Sequence, residues 1–228
     1  MDLIAKYFPN VIVNWQGDYG FVGAIKQTLY MTFFSAIIAG ILGLGVGILL
    51  LTTDKNGLTP HPIIYSVLDK IVNILRSIPF IIMLALLASF TRLIVHTTIG
   101  PTAALIPLIA SAMPFYARQV QNALVQVDPG VIEAAQSMGE SNLSIIFNVY
   151  LVEGLPELVR ASVMTIISLI GLTAMAGAVG AGGLGSLAVN IGFQRFENDV
   201  TIVATIFILI LVFLIQFIGD ILVKHLTH

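Results

Sequence analysis

Between Lys26 and Asp54, and again between Asp199 and Asp220, the chain carries no charged residue at all. A helix needs about 20 mostly apolar residues to cross a hydrocarbon layer about 30 Å thick, and both stretches are long enough. Hydrophobic side chains make up 57 % of the 228 residues and charged ones 10 %, against roughly 25 % charged in an ordinary globular protein. So few charges cannot cover a water-facing surface, and the apolar exterior has to meet lipid.

Three further stretches complete a set of five. Ile71 to Thr91 contains Arg76, Pro101 to Tyr116 lies between Arg92 and Arg118, and a longer one separates Arg160 from Arg195. A charge at the bilayer centre is costly, whereas a long stem near a helix end reaches the interface. Arg76 is therefore placed near a membrane surface, with Asp69 and Lys70 outside. Pro101, Pro107 and Pro114 predict a kinked third helix inside the bundle, where neighbours satisfy the freed carbonyls. The expected fold is an all-α polytopic membrane protein of about five transmembrane helices, with 1–228 as a single transmembrane domain. Four spans and a re-entrant segment are the other count.

Charge says little about orientation. Lys55, Arg118, Arg160 and Lys224 would fall on one side, and Lys6, Lys26, Arg92 and Arg195 on the other, which is a tie under the positive-inside rule. The net charge of −2 and pI near 6.0 offer no basic field, so no nucleic-acid partner is expected. The absence of cysteine excludes disulfides and cysteinyl metal or redox sites. Met1-Asp2-Leu3-Ile4-Ala5-Lys6 lacks the basic start, apolar run and cleavage site of a signal peptide, so the first apolar stretch is read as retained.

Glycines cluster twice. Gly40, Gly43, Gly45 and Gly47 lie in the first stretch, where small residues let helix backbones approach. Gly177, Gly180, Gly182, Gly183 and Gly185 are too dense for a comfortable helix, since each costs up to about 1 kcal/mol relative to Ala; a break, a turn or a tight inter-subunit contact is expected. Gly180 to Gly185 fits G-x-G-x-x-G, but that fingerprint needs a preceding strand and a βαβ unit, and here a membrane stretch precedes it. No G-x-x-x-x-G-K-[ST] and no H-E-x-x-H occurs. His61, His96, His225 and His228 lie outside the apolar centres, and no carboxylate pair lies mid-span. No catalytic, cofactor-binding or metal-binding residue is assigned, and bond chemistry is not expected of this chain.

The polar stretch 122–160 is a structured loop. Asp128-Pro129-Gly130 signals a helix start, with an oxygen to cap and Pro at the first position. Good helix formers follow to Met138, and Gly139 stops or bends the helix. Ser141 can cap a second short amphipathic helix carrying Leu143, Ile145, Ile146, Phe147 and Val149, and Leu155-Pro156 marks entry to the next span. An amphipathic linker lying on the membrane surface is one reading of this pattern.

Glu133-Ala134-Ala135-x3-Gly139, with Leu155-Pro156 sixteen residues after the glycine, resembles the EAA loop of ABC importer permeases. The segments Arg76–Ile82, Met113–Val120, Ala174–Gly185 and Gly192–Phe196 look like those of the methionine permease subunits of type I ABC importers, and together with the loop they cover most of 70–200 in order. The resemblance implies a permease for methionine (L, D or both) that works by alternating access. It implies that residues 122–157 form a cytoplasmic coupling loop between the third and fourth spans, with Glu133, Ala134, Ala135 and Gly139 as its ATPase-coupling residues. It further implies a second copy of the chain, two ABC ATPase subunits that bind ATP and Mg, an extracytoplasmic solute-binding lipoprotein, and the plasma (inner) membrane of a prokaryote. With the loop cytoplasmic, five spans put the N-terminus outside and the C-terminus inside.

Ser77, Met83, Met113, Thr173 and Met175 are candidates for the substrate path, because Met is polarizable and suits a thioether solute. Arg195, Glu197 and Asp199 fall in the expected outer loop, where they could meet the binding protein. A permease for another amino acid or osmolyte, an ATP-independent channel or scaffold, and a membrane enzyme are the competing readings.

Overall fold

The computed structural model describes residues 8–17 and 20–227; Lys6, His228 and the reading of the extreme N-terminus lie outside the described residues. The elements are α1 (Pro9–Val13), α2 (Phe21–Thr53), α3 (Pro62–Ser77), α4 (Phe80–Val95), α5 (Pro101–Leu124) and α6 (Pro129–Ser137), followed by α7 (Asn142–Glu153), α8 (Leu155–Ala176), α9 (Gly183–Phe193) and α10 (Asn198–Leu226). No strand occurs among the described residues.

The expected spans shift in instructive ways. α2, α10 and α8 with its extension to Ala181 are each long and apolar enough to cross a membrane, and α3 and α4 qualify only as a broken pair. Length and apolarity thus give three or four spans. The second stretch is not one helix over Ile71–Thr91, because Ile78 precedes Pro79 between α3 and α4. A residue before proline is pushed out of the α region, and proline itself has no N–H to give the preceding turn. The third stretch does not stop at Tyr116 but runs to Leu124. Its polar end turns inward: Val120 and Leu124 are fully buried and Gln121 is 6 % exposed. The fourth starts at Leu155 and breaks after Ala176, and the fifth continues past Asp220 to Leu226.

Two compact units divide the chain, one of Met1–Ile37, Ile78–Ser111 and Ile166–Ile215, the other of Ile38–Ser77, Ala112–Thr165 and Gln216–His228. The chain passes between them five times, within α2, between α3 and α4, and within α5, α8 and α10.

The first unit is built on Val11, Phe21, Ala24, Leu184, Leu187, Val200 and Ala204. Trp15, Phe21 and Phe207 meet with ring centroids 5.8–6.2 Å apart. Its distinctive feature is the dense glycine cluster, where Gly180, Gly182 and Gly183 all have positive φ. The expected break is there. Gly182, at the N-cap of α9, has no side chain to satisfy the first amides. Gln27 Oε1 accepts from Gly183 N at 2.7 Å and Thr28 Oγ1 from Leu184 N at 2.9 Å, both from α2. A Cβ on Gly177 would come within 2.6 Å of the Gly182 carbonyl oxygen and the Ser186 amide nitrogen.

The second unit packs Leu51, Tyr116, Val120, Ala123, Leu124 and Val127 with Ala135, Ile145, Tyr150, Leu158 and Ala161. Here α2 and α5 touch through backbone. A Cβ on Gly43 would stand 2.9 Å from the Met113 carbonyl oxygen, and one on Gly47 2.6 Å from Val120 Cβ. Gly40 and Gly45 would meet nothing within 4 Å, so only half of that cluster packs within the chain. Overpacking a closed contact costs about 1–3 kcal/mol. Gly47→Leu is therefore expected to lower the midpoint of thermal unfolding in detergent, while Gly45→Leu leaves it nearly unchanged, as read by intrinsic fluorescence.

Candidate functional site

The loop after α5 is fixed by local chemistry. Asp128 Oδ1 accepts from Gly130 N at 2.8 Å, capping α6 with Pro129 in its first position. The other end closes with Gly139 at φ +80°. Gly139 N donates to the Gln136 carbonyl at 3.0 Å and Glu140 N to the Ala135 carbonyl at 3.2 Å, the paired bonds of a Schellman turn. Ser141 Oγ then accepts from Ser144 N at 3.2 Å and starts α7, whose middle loosens into a π turn over Ile146–Tyr150.

Each short helix has a rooted face and a free one. Ala135, Ile145 and Tyr150 are buried in the second unit's core, and Ile132 packs against it. Glu133, Ala134, Ser137 and Gly139 are exposed. So are Val131, Met138, Leu143, Phe147 and Val152, with Met138 at 78 %. Large apolar side chains exposed on a short polar loop are of the kind found where a protein meets a partner or a membrane. The Glu133 carboxylate has no partner among the described residues and borders a groove of about 470 Å³ lined also by Asp54, Asn56, Leu58, Gln136 and Tyr150. Burial pushes the Tyr150 hydroxyl above its ordinary pKa, which keeps its proton in place.

Of the four coupling candidates, Glu133, Ala134 and Gly139 lie on the free surface, while Ala135 is 4 % exposed and belongs to the root. The substrate-path candidates do not form one lining. Met83 and Thr173 are 3 % and 1 % exposed, and the Thr173 hydroxyl donates back to the Ile170 carbonyl at 2.7 Å. Met113 is half-buried, whereas Ser77 and Met175 are exposed. Among the outer-loop candidates, Asp199 accepts from Asn10 N, Asn10 Nδ2 and Val11 N at 2.9–3.4 Å. Glu197 accepts from Asn14 Nδ2 at 3.3 Å, and Arg195 remains exposed. No group of three or more metal-ligating side chains occurs among the described residues.

A polar network went unread in the sequence. Arg118 NH2 donates to Asp69 Oδ1 and, at 3.1 Å, to Asn73 Oδ1, while NH1 donates to Gln121 Oε1 at 2.6 Å. Asn73 Nδ2 in turn donates to Asp69 Oδ2 at 3.0 Å. The one signal was the i,i+4 pair Asp69/Asn73 on an amphipathic helix, matched by an arginine at the end of an apolar stretch.

The family model described as "Binding-protein-dependent transport system inner membrane component" matches residues 41–228. The chain is 48 % identical over 222 residues to the methionine import system permease protein MetP of Bacillus subtilis (strain 168), covering 96 % of this chain and 97 % of that one. It is 46 % identical over 202 residues to the probable D-methionine transport system permease protein MetI of Pasteurella multocida (strain Pm70), covering 89 % and 93 %. Among solved structures, a chain of the MetNI methionine ABC transporter in an inward-facing conformation aligns with a TM-score of 0.89 and 44 % identity, covering 91 % of this chain and 96 % of that one.

Loss of an N-cap costs about 1 kcal/mol. Asp128→Ala is therefore expected to lower the thermal midpoint of the purified protein by a few degrees, with Asp128→Asn close to native, as followed by circular dichroism at 222 nm.

Proposed function

The chain belongs to the family of binding-protein-dependent transport system inner membrane components, and from that premise we propose that it is the permease subunit of an ATP-driven methionine importer. It is a transport subunit and not an enzyme. The observation that carries the substrate is near-full-length identity of 48 % to a methionine import permease. The fold shared at a TM-score of 0.89 with the methionine transporter chain supports the same reading.

The working unit is two copies of this chain, two ABC ATPases that hold ATP and Mg, and a solute-binding lipoprotein outside. Residues 1–228 act as one transmembrane domain, with 122–157 as its cytoplasmic loop. Five apolar stretches in the sequence support five crossings. The loop is cytoplasmic, as the family resemblance implies, and five crossings then put the N-terminus outside and the C-terminus inside.

Mechanically, α6 and α7 are caught by the ATPase through their exposed faces. Glu133 meets a basic or hydroxyl group there, and Ala134 allows close approach. ATP binding favours the closed ATPase pair, and the differential affinity for the two states supplies the work of alternating access. Ser77 and Met175, being exposed, are the stronger candidates for contact with solute; Met83, Met113 and Thr173 would need a conformational change to reach it.

In liposomes holding the permease, its ATPase and the binding protein, labelled methionine uptake should require ATP. Unlabelled methionine should compete better than other amino acids. Glu133→Arg should lower uptake about tenfold or more, in the range of allosteric couplings, at unchanged membrane insertion. ATP-independent uptake, or preference for another solute, would overturn the assignment.

A further inference from the structure

The helix α3 has little apolar grip on its own unit. Only Val72 is buried along it, while Ile63, Ile64, Val67, Ile71 and Ile74 are 44–72 % exposed. Beyond Val72, only the half-buried Tyr65, Leu68 and Leu75 add to its apolar packing. The polar side supplies the tie: Asp69 and Asn73 both accept from Arg118, which also holds Gln121. Arg76 lies 6.0 Å from the ring centroid of Phe115, a second and weaker link to α5. The Arg118 and Asp69 side chains are 17 % and 29 % exposed. The pair Arg160–Glu157, at 53 % and 41 %, is by contrast a surface ion pair of the kind that contributes little.

The position of Arg118 gives the network a use. It lies ten residues before Asp128, on the part of α5 whose Val120, Ala123 and Leu124 share a core with Ala135, Ile145 and Tyr150. The end of α5 and the loop are thus one packed piece. On the other side, Asp69 and Asn73 are eight and four residues before Ser77, where α3 ends at the Ile78-Pro79 break. A displacement of the loop reaches α3 through Arg118.

We infer that Arg118, clamped by Asp69, Asn73 and Gln121, is a positioning residue that makes the coupling loop and α3 move as one body, so that ATPase motion reaches the break in the second span. Truncating one partner of a shielded ion pair leaves the other charge uncompensated. Loss of either carboxylate or guanidinium therefore uncouples the two elements. The inference rests on the transport reading above.

The test is the number of ATP molecules hydrolysed per solute taken up by the reconstituted complex. Asp69→Asn and Arg118→Gln should each raise that ratio about tenfold, in the range of allosteric couplings, mostly through lost uptake. The exchanged double variant Asp69→Arg with Arg118→Asp should recover part of it. A merely structural role would lower hydrolysis and uptake together and leave the ratio alone. The chain has no cysteine, so nitroxide labels at Ile74 and Met138, both exposed, report the same point without disturbing the network. In the otherwise native complex their distance distribution should be the same with and without ATP, and Asp69→Asn should broaden it. An unchanged ratio in both single variants, or a label distance that changes with ATP in the native network, overturns the inference. Absence of ATP-driven uptake by the native complex would instead overturn the transport reading.

Discussion

A helix that stops and restarts inside hydrocarbon leaves amides and carbonyls that lipid cannot satisfy. The helix of this chain breaks after Ala176, at the end of an apolar stretch, and the open amides of Gly183 and Leu184 are closed by Gln27 and Thr28, 156 residues away in sequence. The arrangement is possible only because Gly177, Gly182 and Gly183 carry no Cβ: at Gly183 a side chain would crowd the Thr28 hydroxyl and the end of Met31. Side chains of α2 and the absence of side chains around α9 are therefore two halves of one solution. An apolar substitution at Thr28 would strand a buried N–H, at a cost of about 1–3 kcal/mol.

The loop after α5 obeys a different constraint. In the proposed transporter it has to present a surface to the ATPase while staying rigid enough to carry displacement. The structure divides these demands by helix face, with Ala135, Ile145 and Tyr150 in the core and Glu133, Ala134 and Phe147 outside. Capping at both turns removes the fraying that short helices in water would otherwise show. In the proposed transporter, stiffness at the root is what turns partner motion into motion of the spans rather than into local bending.

Much of this was legible in the residues because the signals were local. Asp128, Gly139 and Ser141 act through bonds to amides two or three positions away or through their own torsion, and each stands where its chemistry indicated. The break at the second glycine cluster was legible for the same reason. Span boundaries were read less well, since charge was used to end them. Arg118 closed the third stretch on paper, yet in the fold it turns inward to Asp69, and the helix continues. Ile78-Pro79 broke the second stretch where apolarity alone suggested continuity. The Gln27 and Thr28 caps could not have been read at all, because nothing in a sequence links residues 156 positions apart. Family resemblance supplied the role proposed for the loop, which no capping rule contains.

The glycines of this chain are required for unlike reasons, and the difference bears on which residues each position can accept. At Gly47 the objection to a side chain is bulk, because Val120 and the Ala117 carbonyl occupy the place a Cβ would take. At Gly139 there is open space within 4 Å and only the torsion objects. The elbow is thus a filter on handedness rather than size. Asparagine, the L-residue that tolerates left-handed backbone best, passes it with an amide to spare. The shape of the turn is constrained while its surface chemistry is left free to vary.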